Sequence, residues 1–155
     1  MYRLAKENYD ELKRHAIEAF PEECCGFVLY DVENDREIVR RITNVATERH
    51  KKDPETYPRD GRDGYHMDEK ELLAATREFE SSEFELRSIY HSHPNGRAYF
   101  SKEDEARAKD PWDEPLYPEA VYIVLGVDGQ NITGSAGFIW NEERLEYEEI
   151  RIVKT

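Results

Sequence analysis

The segment 86–104 constrains the fold most, because an expected strand, a tight turn and several polar side chains follow one another within it. Leu86–His91 is predicted to be a strand, and His91 and His93 lie at its carboxyl end. Residues i and i+2 of an extended chain point to one face, so the two imidazoles are expected side by side. Pro94 lacks an N–H and is expected to end the strand, and Gly96 permits the chain to turn away.

A helix expected after this turn returns a carboxylate to the histidine pair. Lys102–Lys109 is predicted to be helical, and Asp104 lies in its first turn. Zinc accepts imidazole nitrogen and carboxylate oxygen, and catalytic zinc sites use three protein ligands and leave a fourth position open. His91, His93 and Asp104 are therefore candidate ligands for one Zn²⁺. The alternative is a pair of half-exposed strand histidines that bind no metal.

Ser101 has two interpretations, and they are compatible with each other. The pattern Ser101-x-x-Asp104 before a helix is typical of a capping box, in which the serine hydroxyl accepts the N–H of the residue three positions later. A cap of this kind holds Asp104 rigidly, which suits a metal ligand.

A hydrolytic metal site also needs a general base, and two adjacent acids are the candidates. Glu22 and Glu23 lie just before the apolar run Gly26–Tyr30, which has the character of a buried strand. Zinc lowers the pKa of bound water to about 7, but a carboxylate must still accept the proton and pass it to the leaving amine. The alternative is that both are ordinary acids at the protein surface.

Composition excludes several classes of function. The formal net charge of -13 argues against nucleic acid and against an anionic membrane surface, because phosphate repels an acidic protein. No apolar stretch approaches the roughly 20 residues that a membrane span needs, and Met1–Asp10 lacks the apolar segment of a signal peptide. Cys24 and Cys25 are adjacent, which makes a poor disulfide, so the cytoplasm is the expected compartment and buried core the expected location.

The remaining pattern predicts a single domain over residues 1–155 of the α+β class. Strands adjacent in sequence outnumber strand–helix–strand alternations, so we expect a mixed, mostly antiparallel β-sheet flanked by helices. The segment 46–64, rich in charge and turn residues, is expected to be a mobile surface loop. His15 and His50 are expected to be solvated. The other predicted elements are helices at 4–20 and 68–80, and strands at 26–30, 36–45, 120–127, 132–140 and 144–153.

The spacing of the site residues resembles a family signature. His91-x-His93-Pro94, six residues, Ser101, two residues and Asp104 match the motif of the JAMM (MPN+) metallopeptidases without a gap. Five chemical positions at fixed spacing make this a specific match.

A second segment strengthens the resemblance. Pro21-x-Glu23-x-Cys25-Gly26 is similar to the Pro-x-Glu-x-Cys-Gly segment of single-domain bacterial and archaeal members, which puts the family glutamate on Glu23. The run Tyr65–Asp68 is similar to members that act on sulfur-carrier proteins.

The resemblance implies a JAMM/MPN fold, similar to that of cytidine deaminases, and a zinc-dependent hydrolase. Its expected substrate is a ubiquitin-fold protein, cut after its C-terminal Gly-Gly, and in particular a sulfur carrier or its cysteine adduct. The resemblance also implies roles for the residues that match: Zn²⁺ binding by His91, His93 and Asp104, water activation by Glu23, and a hydrogen bond from Ser101 to the oxyanion. Two alternatives stay open, a non-catalytic scaffold or binding module and a cell-wall or phage-associated peptidase.

Overall fold

A computed structural model describes residues 1–155 as four helices and eight strands in two sheets. None of the helices is long and apolar enough to cross a lipid bilayer. The elements in chain order are β1 Tyr2–Leu4, α1 Lys6–Ala19, β2 Cys25–Asp31, β3 Arg36–Ile42, α2 Ala46–Lys52, α3 Glu69–Glu80, β4 Phe84–His93, α4 Lys102–Arg107, β5 Val121–Val127, β6 Ile132–Asn141, β7 Glu146–Ile150 and β8 Ile152–Lys154.

The main sheet has six strands in the order β3-β2-β4-β5-β6-β7. All neighbouring strands in it are antiparallel except β4 and β5, which are parallel. A parallel pair needs a crossover connection, and here α4 lies in that crossover. The prediction of an α+β fold with a mixed, mostly antiparallel sheet is confirmed.

Two hydrophobic layers cover the two faces of this sheet, because successive side chains of each strand alternate between them. On one face, Leu12 and Ala16 of α1 pack against Tyr90 and Ile123 of the central strands. On the other face, Ala75 of α3 and Ala108, which follows α4, pack with Phe27 and its neighbours on β4 and β5. His91 and His93 follow the alternation of β4 onto this second face. Cys24 and Cys25 are buried in the two layers, as predicted.

The predicted bounds are wrong at both ends of the chain. The helix expected at 4–20 begins at Lys6, and the three residues Tyr2–Leu4 form a strand instead. The strand expected at 144–153 is divided in two, and its last part pairs in parallel with β1. Local sequence carries no signal for this pairing, because it joins segments about 150 residues apart.

The prediction of a mobile loop at 46–64 is wrong, because Ala46–Lys52 is a helix and a later part of the segment is anchored. Only Ala46 of α2 is buried, so the helix has no apolar periodicity to reveal it. The backbone N–H of Gly61 donates to Thr47 Oγ1 at 2.9 Å. A Cβ on Gly61 would lie 2.0 Å from Glu22 Oε1, so any larger residue here would displace the Glu22 carboxylate.

The prediction that His15 and His50 are solvated is also wrong. Nδ1 of His15 lies 2.7 Å from the hydroxyl of the buried Tyr90, and burial lowers the pKa of His15 to about 4. The ring is therefore neutral at pH 7, and its Nδ1 shares a hydrogen bond with the Tyr90 hydroxyl. His50 is half-buried, and its Nδ1 lies 2.7 Å from the carbonyl oxygen of Tyr57.

Candidate metal centre

The two imidazoles of β4 face each other on the side of the sheet that α3 covers. Nε2 of His91 and Nε2 of His93 are 3.1 Å apart, and both rings are buried. The turn after them is built as predicted, with Gly96 at a φ of 80°. This turn packs closely on β5, where a Cβ on Gly126 would lie 2.6 Å from the carbonyl oxygen of Gly96. The two glycines thus allow the chain to leave β4 directly beside the imidazoles.

Asp104 completes the arrangement from the first turn of α4. Its Oδ1 lies 3.2 Å from Nε2 of His91, and its Oδ2 lies 3.2 Å from Nε2 of His93. Burial favours the neutral acid, but hydrogen bonding to the two imidazoles outweighs it and holds the pKa of Asp104 well below its usual range. The structure therefore brings the three residues that the sequence singled out as ligands to one point.

Ser101 forms the capping box that its spacing predicts. Its Oγ accepts the backbone N–H of Asp104 at 3.1 Å, and its own backbone N–H donates to Asp104 Oδ2 at 3.0 Å. The carboxylate is thus oriented by its own helix terminus. Because Oγ acts as an acceptor in the cap, the hydroxyl hydrogen of Ser101 stays available to another group.

The two histidine rings are oriented in different ways. Nδ1 of His93 donates to the carbonyl oxygen of Arg97 at 3.0 Å, so Nε2 is the ring nitrogen that a metal ion would use. Nδ1 of His91 is buried and has no hydrogen-bond partner. Away from Nε2, the His91 ring is positioned by packing, with the Tyr65 ring centroid 5.1 Å away.

These donors fit a divalent metal ion. Bonds of about 2.0 Å from a tetrahedral ion to its ligands place the ligand atoms about 3.3 Å apart, close to the observed 3.1 and 3.2 Å. Two imidazole nitrogens and a carboxylate oxygen are also ligand types that such ions accept. The cluster of side chains from β4 and α4 can therefore hold a metal ion.

Glu23 approaches the same point from the segment before β2. A carboxylate oxygen of Glu23 and ring nitrogens of His91 and His93 all lie within 4.8 Å of one another. The side chain is buried, and burial raises the pKa of Glu23 to about 8. A buried carboxyl group beside two imidazoles can exchange protons with a molecule held at the centre.

Glu22, the neighbouring candidate base, is engaged elsewhere. Thr47 donates its hydroxyl to Glu22 Oε1 at 3.0 Å, and Gly61 packs against the same carboxylate. Glu22 therefore anchors α2 and the following segment, whereas Glu23 lies at the centre. The sequence left both acids open on chemical grounds, and the structure separates them.

Comparison with known proteins agrees with this geometry. A sequence model of the family described as prokaryotic homologs of the JAB domain matches residues 5–140. The chain belongs to this family. The predicted resemblance to JAMM/MPN proteins is thereby confirmed, and the matched region includes every residue of the centre. No curated protein matches the chain.

Solved structures show the same fold as this JAB-domain protein. The solution structure of protein DSY2949 from Desulfitobacterium hafniense is 23% identical, with a TM-score of 0.69, and the match covers 100% of this chain and 93% of that chain. The solution structure of a protein from Salinibacter ruber (strain DSM 13855) is 22% identical, with a TM-score of 0.60. This match covers 100% of this chain and 92% of that chain.

The centre of this JAB-domain protein depends on Asn44, which sequence reasoning did not identify. Its Nδ2 donates to the carbonyl oxygens of Glu23 and Gly64 at 2.9 and 3.2 Å. Its Oδ1 accepts the backbone N–H groups of Ala46 and His66, each at 3.0 Å. All four hydrogen-bonding positions of the amide are thus used. The only local signal was an asparagine at the end of a predicted strand.

A pocket of about 400 Å³ opens onto the centre, within the range of sites for small ligands. Its wall is mostly polar and charged. The side chains around it that belong to the centre are Glu23, His93, Ser101 and Asp104, and the basic ones are Arg59, Arg62, Lys102 and Arg107.

Proposed function

We propose that the protein is a zinc-dependent peptidase that hydrolyses the bond after the C-terminal Gly-Gly of a ubiquitin-fold protein. The substrate class we favour is a small sulfur carrier or its cysteine adduct, and the compartment we expect is the cytoplasm. The observation that carries the proposal is the approach of Glu23, from a separate segment, to within 4.8 Å of both imidazoles that face Asp104.

Zinc is the metal we favour, because two imidazoles and one carboxylate form a three-ligand set that leaves one coordination position free. When bound, such an ion polarises a carbonyl group and makes water a stronger nucleophile at neutral pH. His91, His93 and Asp104 would hold it, with Ser101 fixing the carboxylate and Arg97 fixing the ring of His93.

Glu23 acts on the proton in this proposal. A cation bound at the centre would oppose the effect of burial and favour the ionised form of Glu23. The Glu23 carboxylate would then take a proton from the attacking water and deliver it to the nitrogen of the leaving amine. Burial of Glu23 keeps bulk water away from this transfer. Burying an acid with no ion-pair partner lowers the stability of the fold. Such groups are typical of active sites, where they serve the reaction.

Ser101 stabilises the charge that develops on the carbonyl oxygen. Its Oγ accepts the N–H of Asp104, so its hydroxyl hydrogen can be donated to the substrate. A donor of this kind typically contributes about 10²–10³ in rate. The substrate tail would lie extended and pair its main chain with an exposed sheet edge, as peptides commonly do.

The test uses zinc-loaded protein and a panel of ubiquitin-fold carriers with short extensions after Gly-Gly, and intact mass spectrometry measures the products. We expect one zinc per chain and products that end at Gly-Gly. The Glu23→Gln variant is the negative control. Protein that holds one zinc but leaves every extension intact would contradict the proposal and favour a non-catalytic binding module.

A further inference from the structure

Arg107 holds a guanidinium group in the wall of the pocket that contains the centre. It lies three residues after Asp104 on α4, so the two side chains share one face of the helix. The guanidinium lies over the Tyr65 ring, 4.2 Å from the ring centroid, and Nη1 donates to the carbonyl oxygen of Tyr65. Tyr65 in turn packs on His91. The cation is thus held in a fixed position, and the Tyr65 ring lies between it and His91.

The charge of Arg107 is not neutralised by any acid. Arg59 forms an ion pair with Glu103, and Arg62 pairs with Asp60 at 3.3 Å. Arg107 has no carboxylate within 4.0 Å, although the chain carries a net charge of -13. An acidic protein that keeps a rigid, unpaired cation in its pocket has a place for an anion.

Arginine suits one kind of anion in particular. Its planar guanidinium presents five N–H donors in a fork that matches a carboxylate, and stacking on an aromatic ring fixes the fork in advance. Tyr65 uses only part of this capacity, because its carbonyl oxygen accepts from Nη1 alone.

We propose that Arg107 binds a carboxylate on the residue that follows the scissile bond. This inference rests on the proposed peptidase function and specifies its substrate. The leaving group is then an amino acid or short peptide whose first residue carries a free terminal carboxylate or an acidic side chain. An α-carboxylate lies within one residue, about 3.8 Å, of the scissile nitrogen, so one pocket can hold both. A lysine ε-amine linked to a protein has no carboxylate at that distance.

The experiment compares three carriers that differ only after Gly-Gly. One ends in alanine with a free carboxylate, the second in alanine amide, and the third in aspartate amide. For zinc-loaded wild-type protein, we expect kcat/KM for the free acid to exceed that for alanine amide by about 10-fold or more. Cleavage of aspartate amide at the rate of the acid would assign the contact to a side-chain carboxylate, and slow cleavage would assign it to the α-carboxylate.

Variants of Arg107 separate recognition from support of the fold. Arg107→Gln is expected to lower kcat/KM for the free acid by about 10–100-fold and to leave alanine amide within about threefold. Arg107→Lys should keep part of the preference, because the charge remains and the fork is lost. Arg59→Gln is the matched control, since it removes a cation of the same pocket that Glu103 already neutralises, and its acid-to-amide ratio should stay that of wild type.

A binding measurement provides a second readout that does not require turnover. In the Glu23→Gln background, the uncleaved free-acid carrier should bind at least about 10-fold more tightly than the amide, and Arg107→Gln should remove the difference. If Arg107→Gln weakened binding of the acid and the amide carriers equally, carboxylate recognition by Arg107 would be wrong. Arg107 would then serve only to support Tyr65. Cleavage of acid and amide at equal rates by wild type would overturn the role of Arg107 alone, whereas failure to cleave any carrier would overturn the proposed function.

Discussion

The side-chain amide of Asn44 donates to the backbone carbonyl oxygen of Glu23 at 2.9 Å and so ties the proposed general base to the start of α2. The same amide holds Gly64 and His66, which precede α3. Two more backbone hydrogen bonds fix this stretch, from the N–H of Glu23 to Gly61 and from the N–H of Cys24 to Ser92 Oγ at 2.8 Å. The position of the acid therefore depends on residues that never contact the metal site.

Asn44→Ala should slow turnover while zinc stays bound, because Glu23 loses one of its backbone anchors and the ligands do not. We expect kcat to fall by about 10-fold or more and the free energy of unfolding by about 1–3 kcal/mol. Asn141→Ala is the matched control, since Asn141 also accepts backbone N–H groups, in the distant turn after β6. Equal activity in the two variants at equal zinc content would show that Asn44 acts only on stability.

Glu23→Gln should abolish turnover without loss of metal, because the amide keeps the shape of the side chain and cannot accept the proton. Zinc content by mass spectrometry and single-turnover cleavage measure the two effects separately. Glu22→Gln is the control, since Glu22 accepts a hydrogen bond from Thr47 and is not the acid grouped with the two imidazoles, and it should retain activity within a few-fold. If Glu22→Gln were the inactive variant, the assignment of the base would be wrong.

His93→Ala should lose the metal, because one of the three closely spaced donors disappears. Wild-type protein should gain about 2.7 kcal/mol of stability when free zinc is 100 times the dissociation constant, and the variant should gain much less. Thermal unfolding in zinc and in chelator measures this difference. His50→Ala, in which the altered ring contacts Tyr57 and lies outside the centre, should respond to zinc as wild type does.

Ser101→Ala should combine a loss of rate with a modest loss of stability. We expect kcat to fall by about 10²–10³-fold because the donor is missing. We expect the free energy of unfolding to fall by about 1 kcal/mol because the helix cap is missing. Asp68→Ala removes the equivalent cap of α3, where the Asp68 carboxylate accepts the N–H of Glu71 at 3.0 Å. A similar loss of rate in Asp68→Ala would mean that Ser101 acts through the fold alone.

His15 should make stability depend on pH between about 6.5 and 4. Burial lowers its pKa from 6.5 to about 4, with Arg41 adding to the effect, so below pH 6.5 the unfolded chain binds a proton that the folded chain does not. The resulting stability is complete above pH 6.5 and is lost as the pH falls. Allowing for the partial exposure of the ring, we expect the free energy of unfolding to fall by about 1–2 kcal/mol between pH 6.5 and pH 5. Denaturant titrations at a series of pH values give the free energy of unfolding of wild type and of His15→Gln. The two plots of this free energy against pH should differ in slope over this range, and parallel plots would contradict the assignment.

The features that the sequence predicts well are those in which the determining residues lie within a few positions of one another. The helix caps depend on contacts from i to i+3, so the capping box of Ser101 with Asp104 and the N-cap of Asp68 on Glu71 are visible in the chain itself. The shared direction of His91 and His93 follows from the two-residue period of a strand. These local rules also place β4, its turn and α4 in the correct order.

The features that the sequence does not reveal join distant segments. The pairing of β1 with β8, the hydrogen bond from Thr47 to Glu22, the four hydrogen bonds of Asn44 and the stack of Arg107 on Tyr65 each depend on contacts across the fold. Such contacts are decided by packing, hydrogen bonding and backbone path together, and no short pattern encodes them.

By itself, the amino-acid sequence determined the α+β class, the two imidazoles on one face of a strand, and the helix terminus that orients Asp104. Only the tertiary structure decided that Glu23 meets them, that Asn44 holds it there, and that Arg107 stands unpaired in the same pocket. The physical reason is that strand alternation and helix capping act within one turn or one pleat. The centre, by contrast, is assembled from elements separated by up to about 80 residues, which come together only when the sheet buries its two hydrophobic layers.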